Sequence, residues 1–181
     1  MPYPAKTSAG QILAAAVTLL ERGGQAGLTI RGLAAELQLT PNALYRYYPS
    51  REALLSAVAA HGAGVLLANL SRVAGDPGAL ADQYLRFARE HPALYDLYMT
   101  CGNLNAEQQH IYSQTWSLVV ERLRPLAGPH SQAAAITLWA YLHGLVGLER
   151  SGVYEGPENK PRDTQSFGLG LLLAGLRSQS E

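Results

Sequence analysis

A chain of 181 residues is long enough to bury a substantial core and to form one large or two small domains. Hydrophobic residues make up 48% and charged residues 15% of it, an apolar balance for a soluble monomer that implies some surface covered by a partner. A net charge of zero excludes a strongly basic or acidic chain, and the single cysteine, Cys101, excludes an intrachain disulfide framework and fits a reducing, cytoplasmic setting.

No apolar run approaches the roughly 18 residues of a membrane span, so no membrane partner is expected. Residues 1–7 form a short arm carrying Lys6 and Thr7. Ser8 caps a first helix that runs to about Arg22, with Ile12, Ala16, Leu19 and Leu20 on its inner face and Gly23-Gly24 at its end. The segment Ile12–Leu20 could pass for a signal-peptide core after Lys6. Glu21-Arg22-Gly23-Gly24 is no cleavage site, however, and the spacing is amphipathic.

The next stretch organises the chain. Ile30, Leu33, Ala34 and Leu37 fall at i, i+3, i+4 and i+7, giving a helix with one apolar face and Thr29 as its cap. Gln38-Leu39 then leads to Thr40-Pro41, a cap followed by a first-position proline. The helix opened there is short, Pro41 to about Tyr47, because Pro49 forbids continuation and displaces Tyr48 from the α region. Ser50 caps a fourth helix that begins at Arg51. Helix, tight turn, short helix, break and long helix describe a helix-turn-helix.

Leu44 and Tyr48 can pack inward, which leaves Asn42, Ala43, Tyr45, Arg46 and Tyr47 toward solvent. A recognition helix in the major groove would use such residues on base edges and phosphates. The alternative is a surface helix whose tyrosines pack on neighbours.

Residues 8–58 resemble the DNA-binding domain of the TetR family of transcriptional regulators. The resemblance rests on LTIRGLAAEL and LTPNALYRYYPSREALLSAV, about fifty residues at fixed spacing, with Arg51 where the family usually has Lys. It implies that Pro41, Asn42, Ala43 and Arg46 face base edges. It also implies that Thr29, Thr40, Tyr45, Tyr47 and Arg51 belong to the DNA-binding surface, largely as phosphate anchors. Residues 1–52 carry Lys6, Arg22, Arg31, Arg46 and Arg51 against Glu21, Glu36 and Glu52, so the excess of cations is small. Tight binding would therefore need two copies on one site.

Helix 4 is expected from Arg51 toward Ala74, linking a DNA-binding domain at 1–52 to a ligand-binding and dimerisation domain at 75–181. Asp76-Pro77 opens helix 5, with Leu80, Tyr84, Phe87 and Ala88 on one face. His91-Pro92 breaks it, and Pro92 to Met99 is a short helix 6 carrying Leu94, Tyr95 and Tyr98. Asn105 with Gln108 resembles a capping box that opens helix 7, with Tyr112, Trp116, Val119, Val120 and Leu123 as its buried stripe and Pro125 closing it. Ser131 starts helix 8, where Ile136, Trp139, Leu142, His143 and Val146 share a flank. Residues 151–163 are a polar Gly/Pro loop, and Thr164 to Arg177 is helix 9. The fold class is all-α, with nine helices.

Gly144, Gly147, Gly168, Gly170 and Gly175 each cost about 1 kcal/mol against Ala inside a helix, which points to close helix approach. With Leu172 they mark a dimer interface or an internal core helix; the family resemblance selects a homodimer through helices 8 and 9. HPALYDLYM and WAYLHGLVGLE also resemble a C-terminal domain type of TetR-like regulators, marked by Trp139, His143 and Gly144.

Catalytic patterns are missing: no Gly-x-Ser-x-Gly elbow, no dinucleotide fingerprint, and Cys101 and His110 stand far from any paired set. An enzyme, a cofactor and a metal are not expected. Tyr84, Phe87, Tyr95, Tyr98, Met99, Trp116, Trp139 and His143 could enclose an effector pocket. With few acidic groups nearby (Asp96, Glu149), a neutral or weakly acidic apolar small molecule fits it best. The expected function is a repressor released from a palindromic operator by that effector. The alternative is an all-α small-molecule sensor or carrier without DNA binding, separated from the first by salt-dependent binding to a palindromic duplex.

Overall fold

The computed structural model describes residues 7–73, 75–100, 106–154 and 160–178. They form nine α-helices and one 3₁₀ turn, with no strand among the described residues. The helices are α1 (Ala9–Gly27), α2 (Ile30–Glu36), α3 (Pro41–Tyr45), α4 (Arg51–Ser71), α5 (Pro77–Glu90), α6 (Pro92–Thr100), α7 (Ala106–Ala127), α8 (Ser131–Arg150) and α9 (Pro161–Ser178). The chain divides into two compact units, 1–65 with 90–111 and 66–89 with 112–181.

In the first unit, local chemistry sets the helix ends. Ser8 and Gln11 form a capping box at the start of α1, and Gly24, at φ 62°, breaks that helix near its end. The expected end at Gly23-Gly24 is therefore a kink, and a last turn continues to Gly27. Thr29 Oγ1 accepts from the Gly32 amide and Thr40 Oγ1 from the Ala43 amide, opening α2 and α3. The turn between them closes with Gln38 N–H on the Ala35 carbonyl and Leu39 N–H on the Ala34 carbonyl. That pairing requires a left-handed residue, and Gln38 supplies it at φ 53° where glycine is usual. Helix α3 is two residues shorter than expected, since only a turn fits between Tyr45 and the Pro49 break. Ile12, Ala16, Leu20, Leu28, Leu33, Leu44, Leu54 and Val58 are fully buried together with Leu94 and Tyr95 of α6.

Helix α4 ends at Ser71 rather than near Ala74, which lies outside the described residues. It also corrects the statement that no apolar run reaches membrane length. Its 21 residues include an 18-residue window of mean hydropathy 1.7, and 44% of that window is buried in the fold. Those apolar positions do core work: Leu54, Val58, Ala59, Ala63, Leu66 and Leu70 are almost wholly buried.

In the second unit, Asp76 caps α5 by accepting from the Gly78 and Ala79 amides at 3.1 Å each. Helix α7 passes through Pro125 and stops two residues later, where Gly128 takes φ 50°. A proline in the last turn frees one carbonyl that lies close to solvent, so it does not end the helix where expected. Helix α9 begins at Pro161, three residues before the expected Thr164, with the Lys160 carbonyl accepting from Asp163 and Thr164. Pro161 is a first-position proline like Pro41 and Pro77, but no Ser, Thr or Asp precedes it.

Arg89 on α5 grips Glu149 on α8, with Nε to Oε2 at 2.9 Å and Nη2 to Oε1 at 2.5 Å. Arg89 also reaches Gln165 of α9, whose amide donates to Asp82 at 2.7 Å. The buried Gln165 thus joins α5 to α9. Tyr141 donates toward the Thr164 and Gln165 carbonyls at 2.8 and 3.0 Å.

Tyr98 lies deep in the first unit, and burial, helped by nearby Tyr95, pushes its phenol up to about 12 from an ordinary 10. The folded chain holds that proton more tightly than the unfolded one. Its contribution is whole below pH 10 and is lost as pH rises toward 12. The denaturant midpoint should fall across that window, and Tyr98→Phe should flatten the fall. Parallel declines in both proteins would show that another group governs alkaline unfolding.

Candidate nucleic-acid interface

Of the side chains assigned to the short helix from sequence, Leu44 packs inward and Asn42, Tyr45, Arg46 and Tyr47 are exposed, while Ala43 is only partly so. Leu44 is fully buried and anchors α3, and Pro41 is exposed. Tyr45, the last residue of α3, is 46% exposed, and Tyr47, in the turn that follows it, is 39% exposed. Arg31 lies exposed on α2. Thr29 and Thr40 are exposed, yet each hydroxyl already serves as a helix cap.

Two assignments acquire a structural role. The Tyr47 hydroxyl donates to the Thr7 carbonyl at 3.0 Å, and Tyr48 donates to the Ala9 carbonyl at 3.4 Å. Both strap the end of the α3 segment to the start of α1. Arg51 turns inward: Nη2 donates to the Gln25 carbonyl at 2.6 Å and Nε to the Leu28 carbonyl at 3.2 Å. A cation on carbonyls left over at a helix end is favourable hydrogen bonding as well as favourable electrostatics. The residue that sequence placed at phosphate closes α1 and sets where α2 begins.

The supports beneath the recognition segment reach α6 and α7. Glu21 of α1 accepts the Ala93 amide at 3.1 Å and the Leu94 amide at 3.0 Å, one on each carboxylate oxygen. These are the amides at the second and third positions of α6, which have no intrahelical acceptor. Sequence alone does not point to this acceptor, since the usual Ser, Thr, Asp or Asn cap does not stand before Pro92. A Cβ on Gly62 would lie 2.8 Å from Leu94 Cγ, so glycine lets α6 meet α4. Gln108, fully buried, accepts from Ser56 Oγ at 2.8 Å and donates to the Ser56 carbonyl at 2.9 Å. It therefore pins the start of α7 to α4. Asn105 and Cys101 lie outside the described residues, as does Lys6.

The expected pocket residues divide between the units. Tyr95, Tyr98 and Met99 are in the first, Tyr95 and Tyr98 buried and Met99 half-buried. Tyr84 and Phe87 are buried in the second. Trp116 and Trp139 are 36% and 47% exposed, which corrects the reading of Trp116 as part of a buried stripe. His143 is also exposed, its ring 6.1 Å from that of Trp139. A groove of about 310 Å³ does exist in the second unit, lined by the end of α7, by α8 and by α9, and none of these eight residues lines it.

The expected interface glycines also divide. A Cβ on Gly168 would collide with the Tyr141 phenol, so its absence serves packing of α9 on α8 within one chain. Gly144, Gly147, Gly170 and Gly175 open on empty space. Leu172 is half-buried, whereas Ile136, Phe167 and Leu171 are 54%, 72% and 60% exposed. No formally charged residue occurs from Ser131 to Leu148 or from Thr164 to Leu176.

Residues 12–58 match the family described as bacterial regulatory proteins, tetR family, and residues 78–171 match the tetracyclin repressor-like C-terminal domain. An uncharacterized HTH-type transcriptional regulator of Mycobacterium tuberculosis is 33% identical over 162 residues, 84% of this chain and 74% of that protein. Among solved structures, a protein of unknown function from Rhodococcus sp. RHA1 superposes with a TM-score of 0.83 at 24% identity, covering 98% of this chain and 99% of that one. BioQ bound to its natural double-stranded DNA operator superposes at 0.69 with 26% identity, covering 95% and 99%.

Removing the carboxylate at α6 tests the support directly. Glu21→Ala should cost about 0.5–2 kcal/mol, the range for losing a helix cap, and speed hydrogen exchange at the Ala93 and Leu94 amides. Glu21→Gln should restore part of the protection. Unchanged exchange at both amides in Glu21→Ala would show that the clasp holds nothing.

Proposed function

Because the chain belongs to the TetR family and is a DNA-binding transcriptional regulator, we propose that it is a repressor that binds a palindromic operator as a homodimer and leaves it when a small molecule binds. The exposed helix Pro41–Tyr45 carries the reading. Pro41, Asn42, Ala43 and Arg46 would meet base edges, with Thr29, Thr40, Tyr45 and Tyr47 on the phosphates. Arg51 would act at one remove, by fixing the turn from α1 into α2.

The homodimer reading is supported by the apolar, charge-free faces of α8 and α9. A second copy would cover Ile136, Phe167 and Leu171 and fill the space over Gly144, Gly147, Gly170 and Gly175. Two recognition helices set about one helical turn apart then read two half-sites. A repressor of this kind works in the cytoplasm, with the chromosome.

Binding should follow from few charges. Arg31 and Arg46 are exposed in each protomer, whereas Arg22 pairs with Glu36 at 3.4 Å. Each neutralised phosphate contributes about 0.9 to the slope of log K against log salt, so two arginines per protomer give a dimer a shallow slope of about 3.6 in magnitude. Asn42→Ala should lose about 1–3 kcal/mol at one base position and relax specificity there, while Tyr45→Phe weakens all duplexes alike. Titrating both variants against a panel of single-base operator changes checks this. An unaltered base preference in Asn42→Ala would remove Asn42 from the reading surface.

The effector is proposed as a neutral or weakly acidic apolar molecule. Tyr84, Phe87, Trp116 and Trp139 supply aromatic surface for it in the second unit. An effector shifts DNA affinity only by its difference in affinity for the two states, and a useful response takes about 1–3 kcal/mol. Operator DNA must then weaken effector binding by the same factor, readable in Trp116 and Trp139 fluorescence. Equal effector affinity with and without operator would make the molecule a bystander.

A further inference from the structure

Phe167, 72% exposed, is more exposed than any other large hydrophobic side chain among the described residues. Leu171 and Gly175 follow it at i+4 and i+8, so the three share one face of α9. Leu171 is 60% exposed, and Gly175 has nothing within 4 Å of where a Cβ would stand. Both line the mouth of the groove of about 310 Å³, whose walls are Leu172, Leu176, Thr137 and Leu138. A knob and a hole of matching chemistry therefore lie two turns apart on one helix, both on the charge-free face.

We infer that Phe167 of each protomer inserts into this groove of a second copy of the chain, over Gly175, and that this reciprocal plug sets the register of the homodimer. The inference rests on the dimer reading above and adds to it the pair that decides the fit. A two-fold interface is isologous: if a residue meets another across the axis, the second meets the first. With the axis crossing α9 at Leu171, residues equally distant on either side face each other, so Phe167 lies against Gly175 twice. Leu171 meets its own counterpart at the centre. A bare Gly175 gives the ring room that any Cβ would reduce, and the apolar walls supply the contacts that a ring at 72% exposure lacks. Continuity of groove, glycine and exposed ring along one uncharged face favours a second copy over a free small molecule as the occupant.

The test exchanges knob and hole in the full-length chain. Phe167→Ala leaves a void, and Gly175→Phe sets two rings against each other. Each should raise the dimer dissociation constant at least about tenfold by sedimentation, and F167A/G175F, which restores one ring per pair, should return it to within about threefold of the parent. Far-UV circular dichroism confirms folding, which the open surroundings of Gly175 allow. Replacing Phe167 with p-benzoylphenylalanine should give light-dependent cross-links to 133–138 or 171–176 of the other copy. Gly144→Trp, on α8 and outside the groove, separates the two levels of the argument. If it gives monomers while the three α9 variants stay dimeric, the α8–α9 dimer stands and the plug is overturned. If all four stay dimeric, the dimer reading itself fails. Additive loss in F167A/G175F, a cross-link between the two 167 positions, or dodecanoate binding in the groove of an unchanged dimer would each overturn the plug.

Discussion

An α-helix that begins inside a protein needs an acceptor for its first amides, and at the start of α6 a carboxylate from another helix supplies one. Glu21 meets that demand from α1, with one carboxylate oxygen for each of the Ala93 and Leu94 amides. A charge-assisted bond of this kind is stronger than a neutral one, and an ionised side chain at a positive helix end gains further from the dipole. Next to it, Gly62 lets Leu94 come against α4, and Gln108 clamps the first turn of α7 to Ser56. The recognition segment is thus built on a body that already includes α6 and the beginning of α7. The chain passes from this body to the other within α4 at 65–66, at 89–90 and within α7 at 111–112.

What could be read from sequence was local. Ser8, Thr29, Thr40 and Asp76 cap the helices beside them, and the prolines at 41, 77 and 92 stand at first positions, so a few adjacent residues suffice. The through-space partners were invisible: Glu21 lies 72 positions from Ala93, and Arg51 lies 26 from Gln25. Apolar periodicity also says only that a face is covered, not by what. Trp116, Ile136 and Trp139 have core spacing and remain in solvent within one chain, because burial of apolar residues is a one-way rule. Gly168 and Gly175 look alike in sequence, but one is filled by Tyr141 and the other by nothing in its own chain.

Electrostatics follow the same division of labour. The Arg51 guanidinium closes a helix end, and the bidentate Arg89–Glu149 pair joins α5 to α8, with Gln165 and Asp82 extending the connection to α9. Glu149 holds the Arg89 guanidinium in its charged form, raising its proton affinity further above an already high value. Both arginines therefore support the fold. The exposed segment Pro41–Arg46 is left with an amide, a phenol and a single guanidinium.

The composition of α4 bears on how the chain is made. An 18-residue window within its 21 residues, at a mean hydropathy of 1.7, is apolar enough to be mistaken for a lipid-seeking segment. The residues that cover it, Leu94 and Gln108, are encoded some twenty to forty positions later, so at roughly 5–20 residues per second α4 waits for seconds with that surface bare. During that interval bare apolar surface of this kind would favour capture by holding chaperones or association with its neighbours on the same message. Synonymous codons that slow translation between α4 and α7 would lengthen the exposure without altering a single amino acid.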